Sequence, residues 1–94
     1  MKENQKLTRN FKIINKLGLH ARAAANFVKI ANRFASEIVV KKNNIEVNGK
    51  SIMGVLMLAA SKGSVIEITS IGHDAEEALL ALGELIKSKF GELQ

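Results

Sequence analysis

His20 is the residue best placed to do chemistry, because of the residues on either side of it. Gly18 precedes it as a hinge, and a helical pattern begins directly after it at Ala21. The first helical backbone N–H groups, those of Ala21, Arg22 and Ala23, have no partners within a helix and, with the helix dipole, form an anion site. Arg22 adds a permanent cation whose planar group suits phosphate. The pattern favours a phosphate held beside an imidazole, and the competing interpretation is a surface histidine without a task.

Ser51 is the second candidate, because it precedes an apolar run at residues 52–60 and can cap a helix there. Capping alone explains the serine. The functional alternative is a phosphorylation site, since a phosphate at a helix start is electrostatically favoured. Met53, Leu56 and Met57 cannot all be interior in one short helix, and exposed methionine and leucine make an adaptable contact surface. Core packing of the run is the competing explanation.

The composition limits what else the chain could do. With 94 residues, 47% of them hydrophobic and 24% charged, residues 1–94 are expected to form one globular domain. The chain has no cysteine, which excludes disulfides and thiol chemistry, and no carboxylate cluster surrounds either histidine as a metal site would require. The net charge of +5, from 14 basic and 9 acidic residues, favours acidic partners such as nucleic acid, phosphate or an acidic protein surface.

The distribution of apolar residues predicts a cytoplasmic, soluble protein without membrane insertion. The longest apolar run, at residues 52–60, is far shorter than the roughly 20 residues that span a bilayer. Residues 1–6 are polar and lack the apolar core of a signal peptide.

Hydrophobic periodicity predicts the elements that position these residues. Residues 1–8 lack periodicity and are expected to be frayed, whereas Asp74 and Glu77 resemble a capping box at the start of the last helix. The predicted elements are a strand at residues 11–14, a helix from 21, strands at 36–42 and 45–47, a short helix from 52, a strand at 65–70 and a helix whose apolar stripe runs from 75 to 90. This βαββαβα order predicts an α+β fold, an open-faced β-sandwich in which three helices cover one face of a four-stranded antiparallel sheet.

Two segments carry a resemblance to a known family. The segment from Gly18 to Ala24, with His20 and Arg22 inside it, resembles the active-site motif of the HPr family, the histidine-containing phosphocarriers of the bacterial phosphoenolpyruvate-dependent phosphotransferase system. At the family's own spacing, residues 48–58 resemble its regulatory-serine segment. Ala23 departs from the family's usual proline.

The resemblance implies a function and a set of site residues. His20 would accept a phosphoryl group on Nδ1 from enzyme I and pass it to an enzyme IIA domain, and Arg22 would help to hold the phosphate. Ser51 would be phosphorylated by an HPr kinase/phosphorylase. The chain would be a monomeric carrier and not an enzyme, without cofactor or metal. The docking face that the resemblance implies comprises Leu19, Ile52, Met53 and Leu56.

Two other functions compete with this one. A regulatory module of the same fold would act through phosphorylated Ser51 and dock to a transcription regulator, but it would not need His20. A nucleic-acid-binding domain would suit the charge, but single-strand readers stack bases on aromatic side chains. Four phenylalanines and no tyrosine or tryptophan argue against that class. The resemblance is compatible with a carrier of either the sugar or the nitrogen-regulatory branch of the system.

Overall fold

Strands and helices follow one another in the predicted order. A computed structural model describes residues 5–92. Its elements are β1 (Gln5–Lys12), α1 (Ala21–Ala31), β2 (Glu37–Lys42), β3 (Ile45–Asn48), α2 (Ile52–Met57), β4 (Val65–Gly72), α3 (Ala75–Lys87) and a 3₁₀ turn at Lys89–Gly91. Among the described residues, no helix is long and apolar enough to cross a membrane.

The four strands form one antiparallel sheet in the order β1-β4-β2-β3. The β2–β3 hairpin turns at Asn43 and Asn44, and Asn43 takes the positive φ of 56° that asparagine tolerates. Because β4 pairs with both β1 and β2, it holds the two halves of the sheet together.

One face of the sheet is covered by helices and the other is open. Side chains alternate between the two faces of a strand, so the buried residues of β2 and β4 are spaced two apart. The fully buried apolar residues of the sheet are Ile38 and Val40 of β2 and Ile66 and Ile68 of β4. On the open face, exposed Thr8 pairs with Thr69 through their hydroxyl groups at 2.9 Å. The predicted α+β open-faced β-sandwich is confirmed.

The first strand begins earlier than the sequence predicted. Residues 5–8 belong to β1 and are not frayed, whereas residues 1–4 lie outside the described residues. Eight consecutive residues of β1 pair with β4, from Gln5 opposite Gly72 to Lys12 opposite Val65. Exposed Arg9 stands between Leu7 and Phe11 in the every-second-residue series that packs against the core, so the apolar alternation of this strand is interrupted and periodicity does not reveal it.

Asp74 does not cap α3, contrary to the predicted capping box. Its side chain makes no hydrogen bond to that helix. Instead its carboxylate accepts hydrogen bonds from the Ser36 hydroxyl and from the backbone N–H groups of Ala35 and Ser36, the latter two at 2.9 Å. The Ser36 hydroxyl contributes most to lowering the pKa of Asp74, the two N–H groups and the charge of His73 add to this, and burial opposes it. The carboxylate therefore joins the β4–α3 connection to the α1–β2 connection.

Gly18 lies where the loop before α1 presses against the chain after α2. Its φ is +67°, and a Cβ at this position would collide with Ala60 O and lie 2.9 Å from Ser61 Cα. Next to it, Leu19 N–H donates to Ala60 O at 2.8 Å. Only glycine satisfies both the left-handed backbone and this close approach.

We expect Gly18→Ala to lower the free energy of unfolding by about 3 kcal/mol, since left-handed strain and a backbone collision add. Gly63→Ala is the matched control, because Gly63 also has a positive φ, +93°, but no atom within 4 Å of the added Cβ. That variant should lose only about 1 kcal/mol. Urea denaturation of both variants measures the difference, and equal losses would contradict the close-approach argument.

We expect Asp74→Asn to lower the free energy of unfolding at pH 7 by about 1 kcal/mol, a low value for charged hydrogen bonds because the group is partly exposed. The folded-state pKa lies below the ordinary value of 3.8. The carboxylate's contribution is therefore complete above that value and is lost as pH falls through the folded pKa. Urea denaturation from pH 7 to pH 2 should show the difference shrinking, while exposed Glu77→Gln serves as the control. A difference independent of pH would refute the assignment.

Candidate functional site

His20 is the residue immediately before α1, as the sequence predicted. Its backbone is extended, with φ −78° and ψ −179°, and its carbonyl accepts the first intrahelical bond from Ala24 N–H at 2.8 Å. The imidazole makes no capping hydrogen bond to the helix. The ring, with 30% of its side chain exposed, is therefore not committed to capping the helix.

The start of α1 is electropositive. Ala21, Arg22 and Ala23 precede the first residue whose N–H reaches a carbonyl within the helix, and the first turn carries no acidic residue. The Arg22 side chain is exposed, Ala21 is exposed and Ala23 is buried. Free N–H groups, the helix dipole and a guanidinium together favour an anion beside His20.

A shallow cleft of about 360 Å³ lies beside His20. Arg22 and Ala23 form one wall, and the turn that follows α3 forms the other. The full lining is Leu17, His20, Arg22, Ala23, Phe90, Gly91 and Glu92. Ser51 does not line this cleft, so the two candidate residues of the sequence belong to separate sites.

Glu92 is a site residue that the sequence analysis missed. Its carboxylate lies against the ring of His20, with Oε2 at 3.2 Å from Nε2. It also accepts hydrogen bonds from the Asn15 amide at 3.1 Å and from Leu17 N–H at 3.3 Å. The only signals in the sequence are a polar Asn15 behind two isoleucines and a glycine before Glu92, and neither points to His20 across 72 residues.

Leu19 is a correction to the predicted docking face. Only 5% of its surface is exposed, and it belongs to the hydrophobic core. The backbone of Leu19 is hydrogen-bonded to Ala60, and the Leu19 side chain packs into the core. It therefore leaves almost no surface for a partner protein to contact. Leu17, two residues earlier, is 61% exposed instead.

The other predicted docking residues lie on α2. Ile52 is 45% exposed, Met53 is 70% exposed and Met57 is 67% exposed, whereas Leu56 is half-buried against the core. A six-residue helix with one buried side chain, Val55, leaves the remaining apolar groups at the surface. The exposed apolar surface therefore lacks Leu19, which is buried, and includes Met57 in addition to Ile52 and Met53.

Ser51 caps α2 as predicted. Its hydroxyl oxygen accepts a hydrogen bond from Gly54 N–H at 3.0 Å, and its backbone is extended. The serine is half-buried. Residues 5–92 contain no group of three or more histidine, aspartate or glutamate side chains that could hold a metal ion.

The chain matches one family model over most of its length. The model described as "PTS HPr component phosphorylation site" matches residues 7–88. A phosphocarrier protein HPr from Neisseria meningitidis serogroup A is 56% identical over 86 residues, which cover 92% of this chain and 97% of the relative. The loop before α1 and the start of α2, which hold His20 and Ser51, fall inside the matched range, whereas Glu92 lies beyond it.

Solved structures agree with these relatives. The crystal structure of HPr-C-His from Thermoanaerobacter tengcongensis is 50% identical, with a TM-score of 0.87 over 96% of this chain and 99% of that one. Bacillus subtilis Crh, whose structure is described as a swapped dimer, is 40% identical, with a TM-score of 0.72 over 89% of this chain and 94% of that one. Sequence, fold and the histidine at the start of α1 lead to one conclusion: the chain belongs to the HPr family of phosphocarrier proteins of the phosphotransferase system.

Proposed function

We propose that His20 is the phosphoryl acceptor of this phosphocarrier, that it takes the group from the phosphohistidine of enzyme I, and that it passes the group to an enzyme IIA domain. The observation that carries the proposal is the partly exposed imidazole at an uncapped helix start. A histidine there serves as nucleophile towards one partner and as leaving group towards the next.

Phosphoryl transfer between histidines requires few catalytic groups from the carrier itself. In each step a P–N bond breaks in the donor phosphohistidine and a P–N bond forms on the acceptor imidazole, so no other group has to be covalently modified. Phosphoryl transfer depends on positioning and on stabilising charge. The N–H groups at the start of α1 and the guanidinium of Arg22 supply positive charge on this side, and the partner protein supplies the rest of the site.

Ala23 is compatible with this role. A proline in a first helical turn would lack an N–H group, whereas alanine keeps it. Ala23 is 1% exposed, so its side chain packs inward while its position remains in the first turn beside His20. The backbone of Ala23 therefore adds a third donor to those of Ala21 and Arg22.

The exposed apolar residues of α2 support docking to enzyme I and enzyme IIA. Ile52, Met53 and Met57 form an apolar surface that costs free energy in water. Flexible methionine side chains adapt to partners of different shape, which suits a carrier that must bind a donor and several acceptors in turn. We expect the carrier to act as a monomer.

The regulatory module without histidine chemistry is the less favoured function. The chain keeps His20 at the helix start, which such a module would not need. We therefore place Ser51 as a regulatory site on a working carrier, modified by an HPr kinase/phosphorylase, and docking to a transcription regulator would be a second use of the phosphorylated form.

We expect His20→Ala to abolish phosphorylation by phosphoenolpyruvate and enzyme I. The labelled wild type should carry an acid-labile, base-stable phosphoramidate, detected by radiolabel and by mass spectrometry. His73→Ala is the matched control, since His73 is the other histidine of the chain and is exposed. A label that survives in His20→Ala but disappears in His73→Ala would reassign the acceptor.

We expect Ser51→Asp to slow phosphoryl transfer from enzyme I roughly tenfold, because a charge beside the apolar surface of α2 must be desolvated or repelled on docking. Aspartate caps a helix as well as serine does, so the variant should fold. Ser51→Asn is the control, because asparagine also caps and carries no charge. Quenched time courses of phosphoryl transfer from enzyme I give the rate for each variant. Equal slowing by Ser51→Asp and Ser51→Asn would show that charge is not the cause.

A further inference from the structure

Glu92 holds the imidazole of His20 from the side opposite to the reacting nitrogen of the proposed mechanism. Its Oε2 is 3.2 Å from Nε2 of His20. A carboxylate at neutral pH only accepts hydrogen bonds, so the ring nitrogen that faces it must carry a proton. In a neutral imidazole the other nitrogen, Nδ1, then carries the lone pair.

The position of Glu92 is over-determined by the turn that precedes it. Lys89, Phe90 and Gly91 have φ values of 60°, 56° and 74°, a left-handed run that is rare for residues other than glycine. Phe90 is 3% exposed in the core, and its carbonyl accepts a hydrogen bond from the Asn26 amide at 3.3 Å. Burial of this ring compensates for the strained backbone and directs Glu92 back towards the start of α1.

Asn15 holds the carboxylate of Glu92 through a hydrogen bond from a buried side chain. The side chain is fully buried, and its amide nitrogen donates to Gly18 O at 2.8 Å and to Glu92 Oε2 at 3.1 Å. Both partners are pure acceptors, so the nitrogen and not the oxygen must face them. The amide oxygen has no hydrogen-bond partner among the described residues. The buried asparagine therefore contributes two hydrogen-bond donors, one to the loop and one to Glu92, while its oxygen is unpaired.

Leu17 completes the arrangement, since its N–H donates to Glu92 Oε1 at 3.3 Å. Both carboxylate oxygens are therefore engaged. The carboxylate is fixed in position by Asn15 and Leu17, and the ring of His20 adapts to it. Glu92 is held by groups other than His20 and can therefore orient the ring. In a surface ion pair, by contrast, two flexible side chains order each other.

We propose that Glu92 is a positioning residue that keeps His20 in the Nε2–H tautomer, directs the phosphoryl group to Nδ1, and balances the charge of the phosphorylated ring. The Nδ1 lone pair forms the new P–N bond while the P–N bond of the donor breaks, and no proton has to move. The product is an imidazolium phosphorylated on Nδ1 and protonated on Nε2, and its positive ring faces the carboxylate. This inference rests on the proposed acceptor role of His20.

The test is nitrogen-15 NMR of the ring nitrogens in the unphosphorylated protein, at a pH at which His20 is neutral. Wild type should show the Nε2–H tautomer alone. Glu92→Ala should show a measurable Nδ1–H population, and Glu92→Gln should lie between them, because its amide oxygen can still accept. His73 in the same spectra should not change, and Glu84→Ala, which removes an exposed glutamate of α3, is the control for charge.

The second readout is the rate of transfer from enzyme I. Partners that fix a histidine tautomer at metal sites are worth roughly 10–100-fold, and we expect Glu92→Ala to slow transfer about tenfold while Glu84→Ala does not. An unchanged tautomer in Glu92→Ala, or a changed tautomer with an unchanged rate, overturns the inference. Absence of labelling in the wild type would instead contradict the acceptor role of His20. The NMR result on the unphosphorylated protein would still show whether Glu92 sets the tautomer.

Discussion

The uncapped start of α1 is the constraint on which the rest of this structure depends. A serine or aspartate in place of His20 would satisfy a backbone N–H and stabilise the helix by about 1 kcal/mol. His20 leaves these groups open, and the helix is held instead by burial of its other face, including Phe27 at 0% exposure. The loop before it is pinned to Ala60 by the close approach of Gly18 and the N–H of Leu19. The helix and its loop are thus stabilised by contacts other than a side-chain cap at the start of α1.

Two carboxylates fix α3 with respect to α1. Asp74, just before α3, accepts hydrogen bonds from Ser36 and its neighbour beyond the end of α1. Glu92, beyond the end of α3, accepts from Leu17 and contacts His20 before the start of α1. The two helices therefore run in opposite directions with each end tied by one charged group. Backbone N–H groups of Ala35, Ser36 and Leu17 are among the donors to these carboxylates, so the hydrogen bonds constrain the main chain at both ends of α1.

Local pattern predicted most of the fold and the position of His20 at the start of α1. The element order, the Asn43 turn, the helix starts at His20 and Ser51 and the open-faced sheet all follow from periodicity, turn residues and helix-start signals. Glu92 could not be predicted, because the contact spans 72 residues and depends on a left-handed turn that local propensity disfavours. Leu19 was misplaced for a related reason, since its burial is set by a backbone bond to Ala60, far away in the sequence.

The two helix starts of the proposed sites differ in what modification has to break. The Ser51 hydroxyl accepts a hydrogen bond from Gly54 N–H at 3.0 Å, so a phosphate placed on that oxygen competes with the cap of α2. The Nδ1 atom proposed to react in His20 caps nothing, since the ring makes no hydrogen bond to α1. A group can therefore enter and leave His20 without disturbing its helix, which a carrier needs in every cycle. Modification of Ser51 would act at a helix start beside the exposed apolar residues of α2, where it would alter the surface available to a partner.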